Sequence, residues 1–151
     1  MQSLNSSANS IWPAFNISDT DIISMDSSVA VDSTGKLHFT WAEQDINGKA
    51  DIFYAIWDGE RLSLSINVSQ STSFNSSTSQ IAVDNTGNAH IVWEEQDDDY
   101  ASDAEIMYSN CNLSGCSMSV SLSGPPNWDC GFYLPNLQDW TNHFWSARII
   151  L

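Results

Sequence analysis

The stretch Val29-Ala-Val-Asp-Ser-Thr-Gly-Lys-Leu-His-Phe-Thr-Trp-Ala-Glu-Gln-Asp45 recurs 52 positions later as Ile81-Ala-Val-Asp-Asn-Thr-Gly-Asn-Ala-His-Ile-Val-Trp-Glu-Glu-Gln-Asp97. A second pair of segments, ADIFY beginning at Ala50 and AEIMY beginning at Ala104, lies 54 positions apart, so two residues are inserted in the acidic loop between. Self-similarity at a period of about 50 residues is typical of a repeat architecture.

Each copy is predicted to form four short antiparallel strands, because its apolar residues alternate and the turns between them are rich in Gly, Asn, Asp and Ser. In the first copy we expect strands at 29–32, 37–43, 51–57 and 62–68. The second copy follows the same order, with a loop from Cys111 to Cys116 in place of the turn at 58–60. A four-stranded meander repeated in this way is typical of β-propeller blades.

The turn between the first two strands has the same residue types in both copies. Asp32 and Asp84 can hydrogen-bond the turn backbone, while Gly35 and Gly87 can adopt a positive φ. These four residues are therefore predicted to be structural.

The predicted fold class is all-β, a partial propeller of about three four-stranded antiparallel blades, two complete and one split between the termini. The predicted segments are 1–18, an N-terminal segment with a lone outer strand; 19–69, blade repeat 1; 70–123, blade repeat 2; and 124–151, a degenerate partial blade.

Three blades are too few to close a ring, since propellers have about four to eight. The chain is therefore expected either to associate with itself or to be a fragment of a longer chain. Its unpaired terminal strands could complete the last blade of another copy, which would give a closed ring, or a filament if the contact did not close.

Composition excludes some partners. The 151 residues contain 42% hydrophobic side chains, enough for a packed core, and 19 Asp and Glu against 4 Lys and Arg, a formal net charge of −15. Nucleic acid and anionic membranes would repel such a chain, so neither is an expected partner. No stretch is long and apolar enough to predict a membrane span.

The cysteines and the glycosylation sequons favour an extracellular or cell-surface protein. Cys111 and Cys116 are predicted to form a disulfide across their short loop; the alternative is a pair of zinc ligands, but a zinc site needs about four ligands and no second close Cys/His pair is present. Sequons predict glycosylation sites at Asn5, Asn16, Asn67, Asn75 and Asn112. Disulfides persist in oxidising compartments. No signal peptide is recognisable at residues 1–7, so either export is signalled elsewhere or this is a mature or partial chain.

The motif Asn-Ile-Ser, then Ser-x-x-Ala-Val-Asp-x-x-Gly-x-x-His-x-x-Trp-x-Glu, then Asp/Glu-Ile-x-Tyr resembles the BNR or Asp-box repeats of sialidase-like β-propellers, especially extracellular bacterial ones. The resemblance covers roughly residues 11–123 and implies a propeller fold. The chain departs from the Asp-box itself, because the turn at 58–60 keeps an Asp and a Gly at altered spacing.

The resemblance does not imply catalysis by this chain. Sialidases of the family use three arginines to hold the substrate carboxylate, a Tyr/Glu nucleophile pair and an Asp acid. This chain has only Arg61 and Arg148, so it cannot assemble the arginine triad and is not expected to be an enzyme.

Alternate loops of a four-stranded meander lie on the same rim, and this arrangement predicts a ligand-binding rim. The loops between strands two and three, and those between blades, share one rim, which carries binding sites in sialidase-like propellers. The candidate ligand-binding residues there are acidic residues and one tyrosine: Glu43, Asp45, Glu94, Glu95, Asp97, Asp98, Asp99 and Tyr100. They could bind sugar or Ca²⁺; because no full calcium-loop spacing is present, the favoured alternative is that these loops are solvated and keep the sheet edges apart.

A histidine and a tryptophan occur in strand two of each copy. His38, His90 and His143 are expected to have packing roles rather than to share a metal, since each would face its own neighbouring blade. Trp41, Trp93 and Trp145 are predicted core residues.

Three functions follow from these patterns. The first is a non-catalytic extracellular propeller module that binds carbohydrate or a surface protein. The alternative is a self-assembling structural subunit joined through its terminal strands. The third is a truncated fragment of a sialidase-like glycoside hydrolase.

Overall fold

A computed structural model describes residues 14–71, 74–97 and 104–123. Within these ranges the chain is all-β and contains no helix, and so none that could cross a membrane. The described residues form nine strands in two antiparallel sheets: β1 (Ser24–Val31), β2 (Leu37–Gln44), β3 (Ala50–Trp57), β4 (Ile66–Asn67), β5 (Phe74–Val83), β6 (Ala89–Asp97), β7 (Ala104–Asn112), β8 (Gly115–Cys116) and β9 (Val120–Ser121). The predicted all-β class is confirmed; the proposed partial blade at 124–151, with Trp145 and His143, lies outside the described residues.

The first sheet, formed by repeat 1 (residues 19–69), has the order β1-β2-β3-β4. β2 and β3 pair without interruption, from Leu37 opposite Trp57 to Gln44 opposite Ala50. The second sheet, formed by repeat 2 (residues 70–123), has the order β5-β6-β7-β8, with β9 also paired to β7. Both sheets are therefore meanders.

The hairpin that follows the third strand also recurs in register. An isolated bridge joins Trp57 to Leu62 in repeat 1, and the pair 54 positions later is Cys111 and Cys116. These two cysteines form a disulfide. A covalent link in repeat 2 thus takes the place of an apolar pair in repeat 1.

The outer strands differ from their predicted bounds. Strand one begins five residues earlier than predicted, at Ser24, and contains a bulge near Asp26, whose φ is 52°. The same bulge recurs in β5 near Thr78. Strand four was predicted over 62–68, but only Ile66 and Asn67 form it, because the chain leaves the ladder near the exposed Leu64.

Side chains alternate across each sheet, which gives each repeat two faces. We call them the histidine face and the tryptophan face, after His38 and Trp41 in repeat 1 and His90 and Trp93 in repeat 2. Strand register assigns the remaining members. The histidine face of repeat 1 contains His38, Thr40, Ala42, Ala50, Ile52, Tyr54, Ile56, Ile66 and Val68; the tryptophan face of repeat 2 contains Ile81, Val83, Ala89, Ile91, Trp93, Met107 and Cys111.

The core lies between the histidine face of repeat 1 and the tryptophan face of repeat 2. Ile52, Tyr54 and Ile56 from the first pack in one buried cluster with Ile91 and Trp93 from the second. The two copies therefore stack in one direction, with unlike faces in contact, and burial of this apolar surface is the main force that holds them together.

Polar contacts fix the stacking register. The Asn75 side-chain oxygen accepts a hydrogen bond from the Ala50 amide (2.8 Å). The two bulges also touch, since the Ser79 hydroxyl donates to the Asp26 carbonyl (3.3 Å). Asn75 and Ser79 thus connect the first strand of repeat 2 directly to the sheet of repeat 1.

Candidate functional site

An aspartate organises the β1–β2 turn. The Asp32 Oδ1 atom accepts hydrogen bonds from the Thr34 amide (2.8 Å), the Thr34 hydroxyl (2.8 Å) and the Lys36 amide (2.9 Å). Gly35 closes the turn with a φ of 86°. Burial would raise the pKa of Asp32, but these hydrogen bonds and the nearby His38 ring outweigh it and lower the pKa to about 2.

The β5–β6 turn of repeat 2 has the same construction. Asp84 Oδ1 accepts from the Thr86 amide (2.8 Å), the Thr86 hydroxyl (2.7 Å) and the Asn88 amide (2.9 Å), and Gly87 has a φ of 85°. The hydrogen bond from the Thr86 hydroxyl, followed by that from Asn88, holds the pKa of Asp84 well below its usual range.

A buried histidine connects the turn aspartate to the third strand. His38 Nδ1 lies 2.7 Å from the Tyr54 hydroxyl, and His38 Nε2 lies 3.6 Å from Asp32 Oδ2. The carboxylate favours the tautomer with the proton on Nε2, so that Nδ1 accepts from Tyr54. Burial and the negative charge of Asp32 raise the pKa of Tyr54, which keeps this hydroxyl protonated. At 3.6 Å the Asp32 contact is too long for a hydrogen bond, and the buried His38 Nε2 has no hydrogen-bond partner among the described residues.

Repeat 2 contains the same chain of side chains in a more open setting. His90 Nδ1 lies 2.8 Å from the Tyr108 hydroxyl, and Nε2 lies 3.4 Å from Asp84 Oδ2. The His90 side chain is 39% exposed, against 2% for His38. Each histidine therefore bonds the tyrosine of its own sheet, and the two do not converge on a common point.

A cleft of about 360 Å³ opens where the turns of the two repeats approach each other. We call it the inter-repeat cleft. Repeat 1 lines the cleft with residues of its first turn, and repeat 2 with residues of its first turn and of the β7–β8 loop. The polar lining residues include Asp32, Lys36, His38, Thr86, Asn88 and Asn112. Ile56 and Leu113 add apolar surface.

The repeat 2 wall of the cleft is held by amide hydrogen bonds. The side-chain nitrogen Nδ2 of Asn88 donates to Thr86 Oγ1 (2.7 Å), and Asn88 Oδ1 accepts from the side-chain Nδ2 of Asn112 (3.2 Å). Side chains fixed in this way offer donors and acceptors at set positions, which is what recognition of a polar ligand requires.

Two of the predicted ligand-binding carboxylates serve the fold. Glu43 and Glu95 are buried, and each accepts a hydrogen bond (3.0 Å) from the indole N–H of the tryptophan two positions before it, Trp41 and Trp93. Both tryptophans are themselves buried. These glutamates satisfy donors that would otherwise be costly to bury.

The other rim candidates are dispersed. Asp45 caps its own turn by accepting from the Lys49 amide (2.9 Å) and the Asn47 amide (2.7 Å), and the Lys49 bond is the largest cause of its lowered pKa. Glu94 is exposed on the histidine face of repeat 2. The backbone of Asp97 ends β6, while Asp98, Asp99 and Tyr100 lie outside the described residues.

Four of the predicted glycosylation asparagines are described, and Asn5 is not. Asn16 is exposed, and its oxygen accepts from the Ser18 amide. The side-chain nitrogens of Asn67 and Asn112 donate to Asp51 and Asn88 respectively, while Asn75 bonds Ala50 through its oxygen; the distances are 2.8, 3.2 and 2.8 Å. Of these four, Asn16 is the most accessible to a modifying enzyme.

Arg61 lies exposed at the turn after β3, and Arg148 lies outside the described residues. Across ranges 14–71, 74–97 and 104–123 no three His, Cys, Asp or Glu side chains cluster as a metal site would require.

The sequence did not identify the cleft as a binding site: Asp32, His38 and Asn112 were predicted to have other roles, and Lys36, Thr86 and Asn88 were not singled out. Lys36 and Asn88 directly follow the repeated Thr-Gly pair, and this equivalence of two polar residues is the sequence feature that could have pointed to the cleft. The Trp–Glu pairs could also have been found, because residues two apart in a strand share a face. The His–Tyr pairs required the strand register, which sequence alone did not provide.

Comparison with protein-family models, curated proteins and solved structures finds no match to this chain. The likeness to Asp-box repeats therefore rests on the residues quoted above.

Proposed function

We propose that this chain is a non-catalytic extracellular recognition module built from propeller-type blades, and that it binds a carbohydrate in the inter-repeat cleft. One observation carries the proposal. The cleft is lined by fixed polar groups from both repeats, and the buried Nε2 of His38 on its wall has no hydrogen-bond partner within residues 14–71, 74–97 and 104–123. Most buried polar groups in proteins are paired, so an unpaired one beside a cleft is a sign of a missing polar partner.

A polyhydroxylated ligand suits this lining. Sugar hydroxyls both donate and accept, and the cleft offers the carboxylate of Asp32, the ammonium of Lys36 and the side-chain amide of Asn88. Ile56 and Leu113 supply apolar surface for the C–H face of a sugar ring. Asp32 and the net charge of −15 disfavour a strongly anionic ligand, which makes a neutral saccharide the better fit.

The absence of catalysis is proposed from how the reactive side chains are used. The Asp–His–Tyr chain occurs in both repeats, and each copy joins a turn to its own sheet. Because these three side chains recur in every described repeat, their role is best explained as structural, namely to hold the first turn of each repeat in place.

An extracellular setting and the propeller blade assignment are supported more generally. The disulfide between Cys111 and Cys116 suits an oxidising compartment. Two meander sheets of the same order, packed face to face in one direction, suit successive blades.

The proposal is tested by following the amide NMR spectrum of the protein during titration with a panel of neutral oligosaccharides. We expect shifts at the β1–β2 and β5–β6 turns. The variant Lys36→Met should weaken binding about tenfold, because it removes one charged hydrogen bond. The control Lys49→Met, on the opposite rim, should bind normally.

Three results would contradict the proposal. They are no binding to any saccharide, shifts confined to the rim that carries Asp45, and equal effects of the two lysine variants. Turnover of a fluorogenic sialoside would instead favour the hydrolase alternative.

A further inference from the structure

The histidine face is covered in repeat 1 and open in repeat 2. Ile52 is fully buried, whereas Ile106, which occupies the same place 54 positions later, is 40% exposed. Val68 is buried and its counterpart Leu122 is exposed. The face that forms half of the core in repeat 1 is thus uncovered in repeat 2 by the part of the chain that the structure describes.

The opposite face, the tryptophan face, is partly open at the other end of the stack. Val29 and Val31 of β1 are each more than half exposed on the tryptophan face of repeat 1. Their counterparts in repeat 2, Ile81 and Val83, pack against the core. Trp41 and Ala55 on this face are already buried, and Phe15 lies against Trp57 with ring centroids 4.9 Å apart, so among the described residues the β1 side is the open part of the face.

We propose that the exposed histidine face of repeat 2 binds the exposed β1 side of the tryptophan face of repeat 1 in a second copy of this chain. The contact would continue the packing already present between the two repeats, with Ile106 taking the role of Ile52. A second copy covers both open faces by one mode of packing. Because unlike faces meet, the association is head-to-tail, and it closes into a ring or propagates as a filament.

The C-terminal residues of the same chain are a poorer occupant. In both repeats three positions separate the histidine from the tryptophan, so the two side chains lie on opposite faces of their strand. At His143 and Trp145 the separation is two, which would put both on one face of a strand, and Ala147 stands where Glu43 and Glu95 accept the indole N–H. The tail therefore lacks the pattern that builds a tryptophan face.

Two polar residues and the net charge oppose the association. Glu94 stands where repeat 1 has the buried Ala42, and Asn110 stands where it has Ile56. Copies that each carry a net charge of −15 also repel one another, and salt screens this repulsion over about 10 Å at 0.1 M. Association should accordingly strengthen as salt is raised.

Sedimentation velocity of the full chain over a range of concentration and salt tests the proposal. We expect the mass to rise above that of one chain, 16.7 kDa, as either is increased. Ile106→Glu should abolish the rise, whereas the control Ile46→Glu, at a position 95% exposed in the β2–β3 turn, should leave it unchanged. Glu94→Ala, which restores the residue of the buried copy, should tighten association several-fold.

A mixing experiment tests the head-to-tail geometry. Val31→Glu should also give a monomer, because it damages the other face. An equimolar mixture of Val31→Glu and Ile106→Glu should form a one-to-one complex, because each variant keeps the face that the other has lost. Circular dichroism and the second variant Leu122→Glu guard against a loss of association that is merely a loss of folding.

The proposal is overturned if the unmodified chain stays monomeric at every concentration and salt, or if Ile106→Glu associates normally. It is also overturned if the two damaged variants fail to complement each other while both remain folded.

Discussion

At the scale of single residues, several of the described carboxylates act as internal hydrogen-bond acceptors. Asp32 fixes a turn, and Glu43 accepts an indole N–H. Their counterparts in repeat 2 do the same. Acidic side chains that were candidates for a ligand rim are thus partly committed to the fold.

Acid should destabilise the protein through the turn aspartates. The pKa of Asp32 falls from its ordinary 3.8 to about 2 on folding, so its contribution is present above pH 3.8 and is lost as the pH falls towards 2. In this window the unfolded chain binds more protons, and the free energy of unfolding decreases with decreasing pH. Urea unfolding from pH 2 to 7 measures this slope.

The matched variants are Asp32→Asn and Asp84→Asn. Each keeps an oxygen that can accept in the turn but removes the titration. Each single variant should flatten the slope below pH 4, and the double variant should flatten it further. Slopes equal to that of the unmodified protein would show that these carboxylates do not carry the acid dependence.

At the scale of elements, the repeat explains what could be predicted. The equivalence of the segments beginning at Val29 and Ile81 implied two hairpins of the same kind, and both are present. The bulges at Asp26 and Thr78 could not be predicted, because a positive φ there depends on contact between the two strands that carry them. The predicted strand four was longer than the observed one, because Leu64 continues the apolar alternation in the sequence although its side chain is exposed.

The β7–β8 hairpin should survive loss of its disulfide. Repeat 1 forms the same pairing at Trp57 and Leu62 without a covalent bond. Closing so short a loop contributes about 2 kcal/mol by restricting the unfolded chain. Thermal unfolding with and without reductant should therefore show a lower midpoint but a native circular dichroism spectrum before melting.

The control for that experiment is the double variant Cys111→Ser with Cys116→Ser. It should unfold at the midpoint of the reduced protein and should not respond to reductant. A reductant effect that persisted in this variant would assign the change to Cys130. Loss of the β-sheet spectrum on reduction would contradict the expected independence of the hairpin.

At the scale of the whole molecule, two copies of one unit stack with unlike faces in contact. The sequence could not predict which faces meet, because β2 carries large side chains on both, such as Phe39 on one and His38 on the other. Only the packing of repeat 2 against repeat 1 shows which of the two faces is buried. The inter-repeat cleft and the open histidine face both follow from this arrangement.

The most direct test of this arrangement compares two identical substitutions at equivalent positions, Ile52→Ala and Ile106→Ala, by urea unfolding at a concentration where the chain is monomeric. Ile52 is fully buried between the repeats and Ile106 is partly exposed. The first change should lower the free energy of unfolding by about 2–5 kcal/mol through the cavity it leaves, and the second by less than about 1 kcal/mol. Equal losses, or a larger loss for Ile106→Ala, would contradict the stacking of the histidine face of repeat 1 on the tryptophan face of repeat 2.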